Sequence, residues 1–193
     1  MKVERNQNMT GNIFTNTLKH FNLVTRHRWV VFKLCCKAGI PWRGLVHDLS
    51  KFSPTEFWES VKYYNGSMSP ILFAKRKQGY SKAWLHHKGR NKHHPEYWYD
   101  PAGGKMHSTP VIPYKYVVEM ICDNLAAAKI YNGKRWRKDS SLKYWLKRKE
   151  DCPLNEKTKA ILTETYTQVS INGIEKTINR ANLKKIYKKY CGK

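Results

Sequence analysis

Eight histidines lie in the chain, most of them at positions suited to holding a metal ion. His27 stands alone, His47-Asp48 sits in LVHDLSKF, and His87, His93 and His94 sit in AWLHHKGRNKHHPEYW. Asp123 follows in EMICDNLAAAK. Together they form an ordered set of nitrogen and oxygen donors on helix-like segments, a set that divalent ions such as Mn, Fe, Zn or Mg favour. Consecutive helical residues are about 100° apart, so His47 and Asp48 can both meet one ion from the rim of a buried face. Lys51 lies at i+4 from His47 and i+3 from Asp48 and can reach the same cavity. A cation beside a metal suits a phosphoryl oxygen. His87 and Asn91 share a helical face at i, i+4, with His93 and His94 directly after, while His86 points elsewhere on that helix. Asp123 lies in an otherwise apolar stretch, where an ionised carboxylate is costly unless it is paired or binds metal.

Each residue also has an ordinary role open to it. Asp48 can cap or salt-bridge, Lys51 can face solvent, Asp123 can pair with Arg or Lys, and the His93-His94 pair can sit in an exposed loop. One metal site explains all of them together more simply than separate coincidences do.

The elements that must position these residues are helical. Apolar side chains from Ile13 through Ala38 recur near the helical period, and Gly39 marks a stop, so the pattern predicts a helix over 13–39. His20 and His27, seven apart, share one of its faces. Pro41 opens a second helix running through His47-Asp48 to Phe52. Ser53-Pro54-Thr55-Glu56 reads as the capped start of a third, with Glu56 as the capping carboxylate or a partner to the site. Residues 65–79 carry turn signals at both ends and read as a loop or short helix. A fourth helix is expected over 80–91 and a fifth over 114–131, with the irregular DPAGGKMHSTPVIP between them. Shorter helices follow over Leu142 to Lys149, Asn155 to Ser170 and Ile174 to Tyr190. Strand-like alternation is scarce, so the fold class is all-α.

At 193 residues, 40% of them hydrophobic, the chain can bury a real core and reads as one domain or one domain with an appendage. No run approaches the roughly 20 apolar residues of a membrane helix. The polar start MKVERNQNMTGN lacks the apolar stretch of a signal peptide. Cys35, Cys36, Cys122, Cys152 and Cys191 show no paired metal spacing, which fits reduced thiols in a cytoplasmic compartment. Lys and Arg number 37 against 14 acids, a formal charge of +23 that favours anionic ligands. A small phosphorylated substrate is the expected partner, with nucleic acid as a possibility through the basic surface and no membrane. The excess is diffuse, and a lysine-rich composition also explains it.

The order His27, His47-Asp48, Asp123 resembles the H…HD…D signature of the HD-domain metal-dependent phosphohydrolase superfamily, a helical bundle. HDLSK is similar to the HD-x-x-K of its cyclic-dinucleotide phosphodiesterase branch. His93-His94-Pro95-Glu96 followed by Tyr99-Asp100 is similar to that branch's HHE…DG segment, although the G-Y-P that should follow is absent. A closer resemblance, over roughly residues 15–150, is to a phage and bacterial family of unknown function, the DUF5662 group. That group shares the stretches HRWVVFKLCCKAGIPWRGLVHDLSKFSPTEF and AWLHHKGRNKHHPEYW and the helix around Asp123.

The expected organisation is a metal-binding helical domain over 1–132 and a basic helical extension over 133–193 packed on it. The resemblance implies that His27, His47, Asp48 and Asp123 hold a first metal and that His87 with His93 or His94 supplies a second, Asp48 bridging if both are present. One or two divalent ions (Mn, Fe, Zn, Co, Ni or Mg) would lower the pKa of water and make hydroxide available to attack phosphorus. Lys51 and Arg90 would then stabilise phosphoryl charge, and Asn91 would orient substrate. This reading is a phosphohydrolase acting on a nucleotide or similar phosphate ester. The alternatives are a diiron oxygenase on the same fold and a phage-encoded protein that binds nucleic acid or a host protein. Full retention of the ligand set argues against the last.

Overall fold

The computed structural model describes residues 12–66, 68–100 and 109–192. Among them are ten α-helices, three short 3-10 helices and no strand, so the all-α expectation holds. Residues 1–11 of the polar start and residues 101–108 of the expected irregular segment lie outside the described residues, while 109–113 are non-helical as expected. No described helix is long and apolar enough to cross a membrane.

The helices are α1 (Ile13–Lys37), α2 (Pro41–Val46), α3 (Pro54–Lys62), α4 (Pro70–Gln78), α5 (Lys82–Lys88) and α6 (Tyr114–Asn132). Then come α7 (Ser140–Leu146), α8 (Glu156–Asn172), α9 (Ile174–Thr177) and α10 (Arg180–Cys191). Gly39 ends α1 as anticipated. Its φ of +76° lets the chain turn back so that Ile40 N–H reaches the Cys35 carbonyl at 2.9 Å. Ser53 caps α3, its hydroxyl accepting from Glu56 N–H at 3.5 Å.

The packing divides into two compact units, interleaved in sequence. The first comprises the described residues through Arg26 and Asp48–Arg90. In it α3 packs against α4 and α5, with the 3-10 turn Leu49–Phe52 beside α3. Its apolar packing is thin: Val24, Val61, Ala74 and Ala83 are buried, aided by aromatic pairs such as Phe21–Phe52. His20, Glu56, Ser60, Ser81 and His87 are buried among them.

The second unit comprises His27–His47 and the described residues from Asn91 onward. Its core is aliphatic and continuous, drawn from α1 (Val31, Leu34), α6 (Val117, Ile121, Leu125), α8 (Ile161, Leu162, Val169) and α10 (Leu183, Ile186). Residues 133–192 therefore contribute to the same core as α6. Gly44 lets α2 lie against α1, since a side chain there would meet Cys35 and the Phe32 backbone at 2.6 and 2.9 Å.

Three expected helices differ. The helix over 41–52 stops at Val46, so His47 and Asp48 are not neighbours on one helical face. The Arg28 guanidinium takes the carbonyls of Leu45 and His47, each at 2.8 Å, and these are the acceptors a continuing helix would need. His47 becomes extended (φ −53°, ψ 128°), and Asp48 turns into the left-handed region (φ 54°, ψ 26°). Among the described residues Asp48 is the one non-glycine with positive φ. The helix over 80–91 covers only Lys82–Lys88, ending at Gly89, so Asn91 lies outside it and the shared face with His87 is lost. The segment Ile174 to Tyr190 breaks after Thr177, because the Asn179 side chain caps a new helix by accepting from Asn182 N–H at 2.9 Å.

Candidate metal centre

The second unit gathers three histidines and two carboxylates from different stretches of chain. His27 comes from the middle of α1, His47 from the end of α2, His93 from the segment after Asn91, and Glu119 and Asp123 from one face of α6. Three imidazoles turn Nε2 toward the two oxygens of Asp123. His27 Nε2 lies 3.0 Å from Asp123 Oδ1 and 3.4 Å from His47 Nε2. His47 Nε2 lies 3.7 Å from Asp123 Oδ1, and His93 Nε2 3.8 Å from Asp123 Oδ2. Donor atoms of His47, His93 and Asp123 all fall within 4.8 Å of one another. Ligands at about 2.1 Å from an ion stand about 3.0–3.4 Å apart in octahedral or tetrahedral order, so the observed spacings are close to those of a coordination shell.

The other nitrogens explain the orientation. Glu119, fully buried, faces His47 Nδ1 at 3.1 Å and His93 Nδ1 at 3.3 Å through the same oxygen. A carboxylate only accepts, so the His47 nitrogen facing it is the N–H and His47 Nε2 presents a lone pair. By the same rule His27 Nε2, 3.0 Å from Asp123 Oδ1, carries the N–H, and the His47 lone pair faces it at 3.4 Å. The second Glu119 oxygen receives Arg43 Nε and Nη2, both at 2.7 Å. Burial pushes the Glu119 carboxyl up, but the facing His47 and His93 outweigh it and bring its pKa down to about 2. Asp123 behaves likewise: burial raises it, and His27 and His47 hold it well below the usual range. Both acids are anionic at neutral pH, as metal binding needs.

The first unit carries a smaller group built on the same plan. Glu56, on α3 and 2% exposed, accepts from His86 Nδ1 at 2.6 Å and His87 Nδ1 at 2.7 Å. His87 Nε2 is thereby aimed at Asp48 Oδ1, 3.3 Å away. Lys51 Nζ salt-bridges the other Asp48 oxygen at 2.7 Å. One turn along α3, Glu59 receives Ser81 hydroxyl at 2.6 Å and Lys82 N–H at 3.0 Å, fixing the start of α5 that carries these histidines. Burial pushes His87 down, yet the Asp48 charge and the bonds to Asp48 and Glu56 leave its pKa raised. Glu56 is lowered despite burial by His87 and His86.

The sequence-predicted residues fall into place as follows. His27, His47, His93 and Asp123 come together in the second unit, and Asp48, His87 and Lys51 in the first. The His94 ring lies 4.3 Å from that of His93, but it is His93 that faces Asp123. Arg90 is exposed and bonds the His86 carbonyl at 3.3 Å, while Asn91 is 9% exposed. Glu119, Arg43 and Arg28 escaped the sequence reading. One signal existed for Glu119: it stands four residues before Asp123 in an apolar helix, on the same face. Nothing local marked Arg28 or Arg43.

A family model described as a family of unknown function (DUF5662) matches residues 16–168. No curated protein and no solved structure matches the chain.

Proposed function

We propose that this chain, which belongs to the DUF5662 family, is a metal-dependent hydrolase of phosphate esters, a nucleotide or a similar compound being its substrate. The observation that carries the reading is the convergence of His27, His47 and His93 Nε2 on Asp123, with Glu119 behind His47 and His93. Holding the far nitrogen of a ligating imidazole with a carboxylate is how proteins fix ligand tautomer and direction. Three imidazoles and one carboxylate suit Fe, Mn, Zn, Co or Ni better than Mg, which prefers oxygen. A bound divalent ion supplies acidified water and polarises a phosphoryl oxygen. The choice of phosphate esters rests on the resemblance of His27, His47-Asp48 and Asp123 to the HD phosphohydrolases, and on the positive charge of the chain. In the first unit we assign Asp48 and His87 as further donors and Lys51, with Arg90, as the cations for phosphoryl oxygens. Asn91 is assigned to substrate orientation.

Elemental analysis of purified protein, followed by a nucleotide and phosphate-ester panel with Mn, Fe, Co, Ni, Zn and Mg, tests the reading. Stoichiometric metal with phosphate release that stops on chelation is expected. Absence of metal after reconstitution would overturn it, and iron with oxygen uptake but no phosphate release would favour the oxygenase.

A further inference from the structure

We propose that the second unit binds single-stranded nucleic acid through a basic and aromatic face made by α1 and the end of α6. This surface is separate in its chemistry from the metal centre.

Trp29, Lys33 and Lys37 recur at i, i+4 and i+8 on α1 and so form one stripe. Trp29 is 57% exposed, stacks on Phe32 at 5.7 Å with 27° between ring planes, and has Lys33 Nζ 5.8 Å from its ring. From α6, Lys129 Nζ stands 5.2 Å over the Trp136 ring. Lys129 is half-buried, and its ammonium is disfavoured first by that burial and then by the like charges of Lys37 and Lys33. Among the described residues no carboxylate pairs with Lys33 or Lys129, while Lys37 pairs with the exposed Glu175. Positive charge therefore exceeds negative here, beside flat exposed aromatic surface.

Such a face suits a polyanion. A free phosphate would satisfy the lysines and leave Trp29 uncovered. An acidic peptide offers carboxylates but few rings to stack. A single strand supplies both a phosphate backbone for Lys33, Lys37 and Lys129 and unpaired bases for Trp29, the combination by which sequence-tolerant single-strand binders work. Duplex keeps its bases stacked inside and would engage the lysines alone. The basic run Lys134, Arg135, Arg137, Lys138 that follows α6 extends the positive field beyond the cluster.

The test is fluorescence anisotropy of the full chain with a labelled oligothymidylate of about 15 nucleotides and a matched duplex, from about 50 to 300 mM salt. Chelator is present throughout, so failure of the metal reading cannot affect the result. Lys33→Glu with Lys129→Glu is expected to weaken single-strand binding at least tenfold and to reduce the log–log salt slope by about 1 to 1.5, as loss of two phosphate contacts requires. Lys184→Glu with Lys185→Glu on α10, the same change in charge, is expected to cost under about twofold. Trp29→Ala should weaken the single strand at least about fivefold and leave duplex binding nearly unchanged. Lys33→Gln with Lys129→Gln, which adds no acid, should rank the same way. Equal losses in the α10 control would show that diffuse charge does the binding and overturn the proposal. So would absence of binding at low salt, or poly-glutamate competing as well as the oligonucleotide, which would point to an acidic protein partner.

Discussion

The two donor groups are variations on one design. In each, a buried glutamate holds the Nδ1 of two histidines, Glu56 for His86 and His87, Glu119 for His47 and His93. In each, imidazole Nε2 is turned toward an aspartate that lies on a different stretch of chain. They differ in what stands around them. Glu119 is backed by Arg43 and rests on the aliphatic core of α1, α6 and α8, whereas among the described residues no arginine pairs with Glu56, which sits in thin, polar-rich packing. The first unit's aspartate, Asp48, is engaged by a lysine; the second unit's Asp123 is shared by three histidines. A group with three imidazoles on one carboxylate could hold an ion. The group whose aspartate is engaged by an ammonium is the one we propose to meet substrate charge.

That difference can be broken by substitution. Asp123→Ala should abolish metal retention in the second unit while far-ultraviolet circular dichroism stays helical. Lys51→Ala should keep metal and lower turnover, tenfold or more if it stabilises transition-state charge. Loss of metal from Lys51→Ala, read by elemental analysis, would make the two groups alike and defeat the distinction.

Glu119→Leu removes the acceptor of Arg43, His47 and His93 at once, and leaving buried partners uncompensated costs about 3–5 kcal/mol. Urea denaturation of metal-free protein should show that loss, and Glu56→Leu, with no arginine stranded, should cost less. An equal or larger cost for Glu56 would mean that the thin unit is the more tightly coupled of the two.

The conservative changes separate orientation from charge. Glu119→Gln keeps volume but loses the strong acceptor, and metal affinity should fall about 10–100-fold, the usual consequence of altering a ligand's partner. Competition with a fluorescent chelator measures this. Glu56→Gln should move the affinity less if the metal belongs chiefly to the second unit.

The smallest expected effect concerns acid stability of the first unit. His20 is buried against Phe57, and burial first, with Lys51 second, depresses its pKa from 6.5 to about 4. The unfolded chain therefore binds the proton more readily between those pH values, so stability falls as pH drops through that window. From pH 6.5 to 5.5 this one group costs about 1 kcal/mol. His20→Leu should flatten that limb in thermal melts, and an unchanged limb would place the acid sensitivity elsewhere.

Much of this was legible in the chain itself. Donor types, their order and the all-α class follow from His27, His47-Asp48, His93, Asp123 and the apolar period around them. Helix starts and stops at Ser53 and Gly39 follow from capping chemistry that acts within three or four residues. What escaped is non-local. Arg28 stops α2 across 19 residues of sequence, Glu119 orients His47 across 72, and Glu56 orients His87 across 31. A helical period reports which side of a helix is apolar; it carries no information about which distant side chain will take a carbonyl or an imidazole nitrogen. Once α6 packs on α1 and α2, and α3 on α5, burial strips water from these groups and each must find its partner in the protein. The sequence by itself therefore determined which atoms could bind a metal, and only tertiary packing decided where those atoms point.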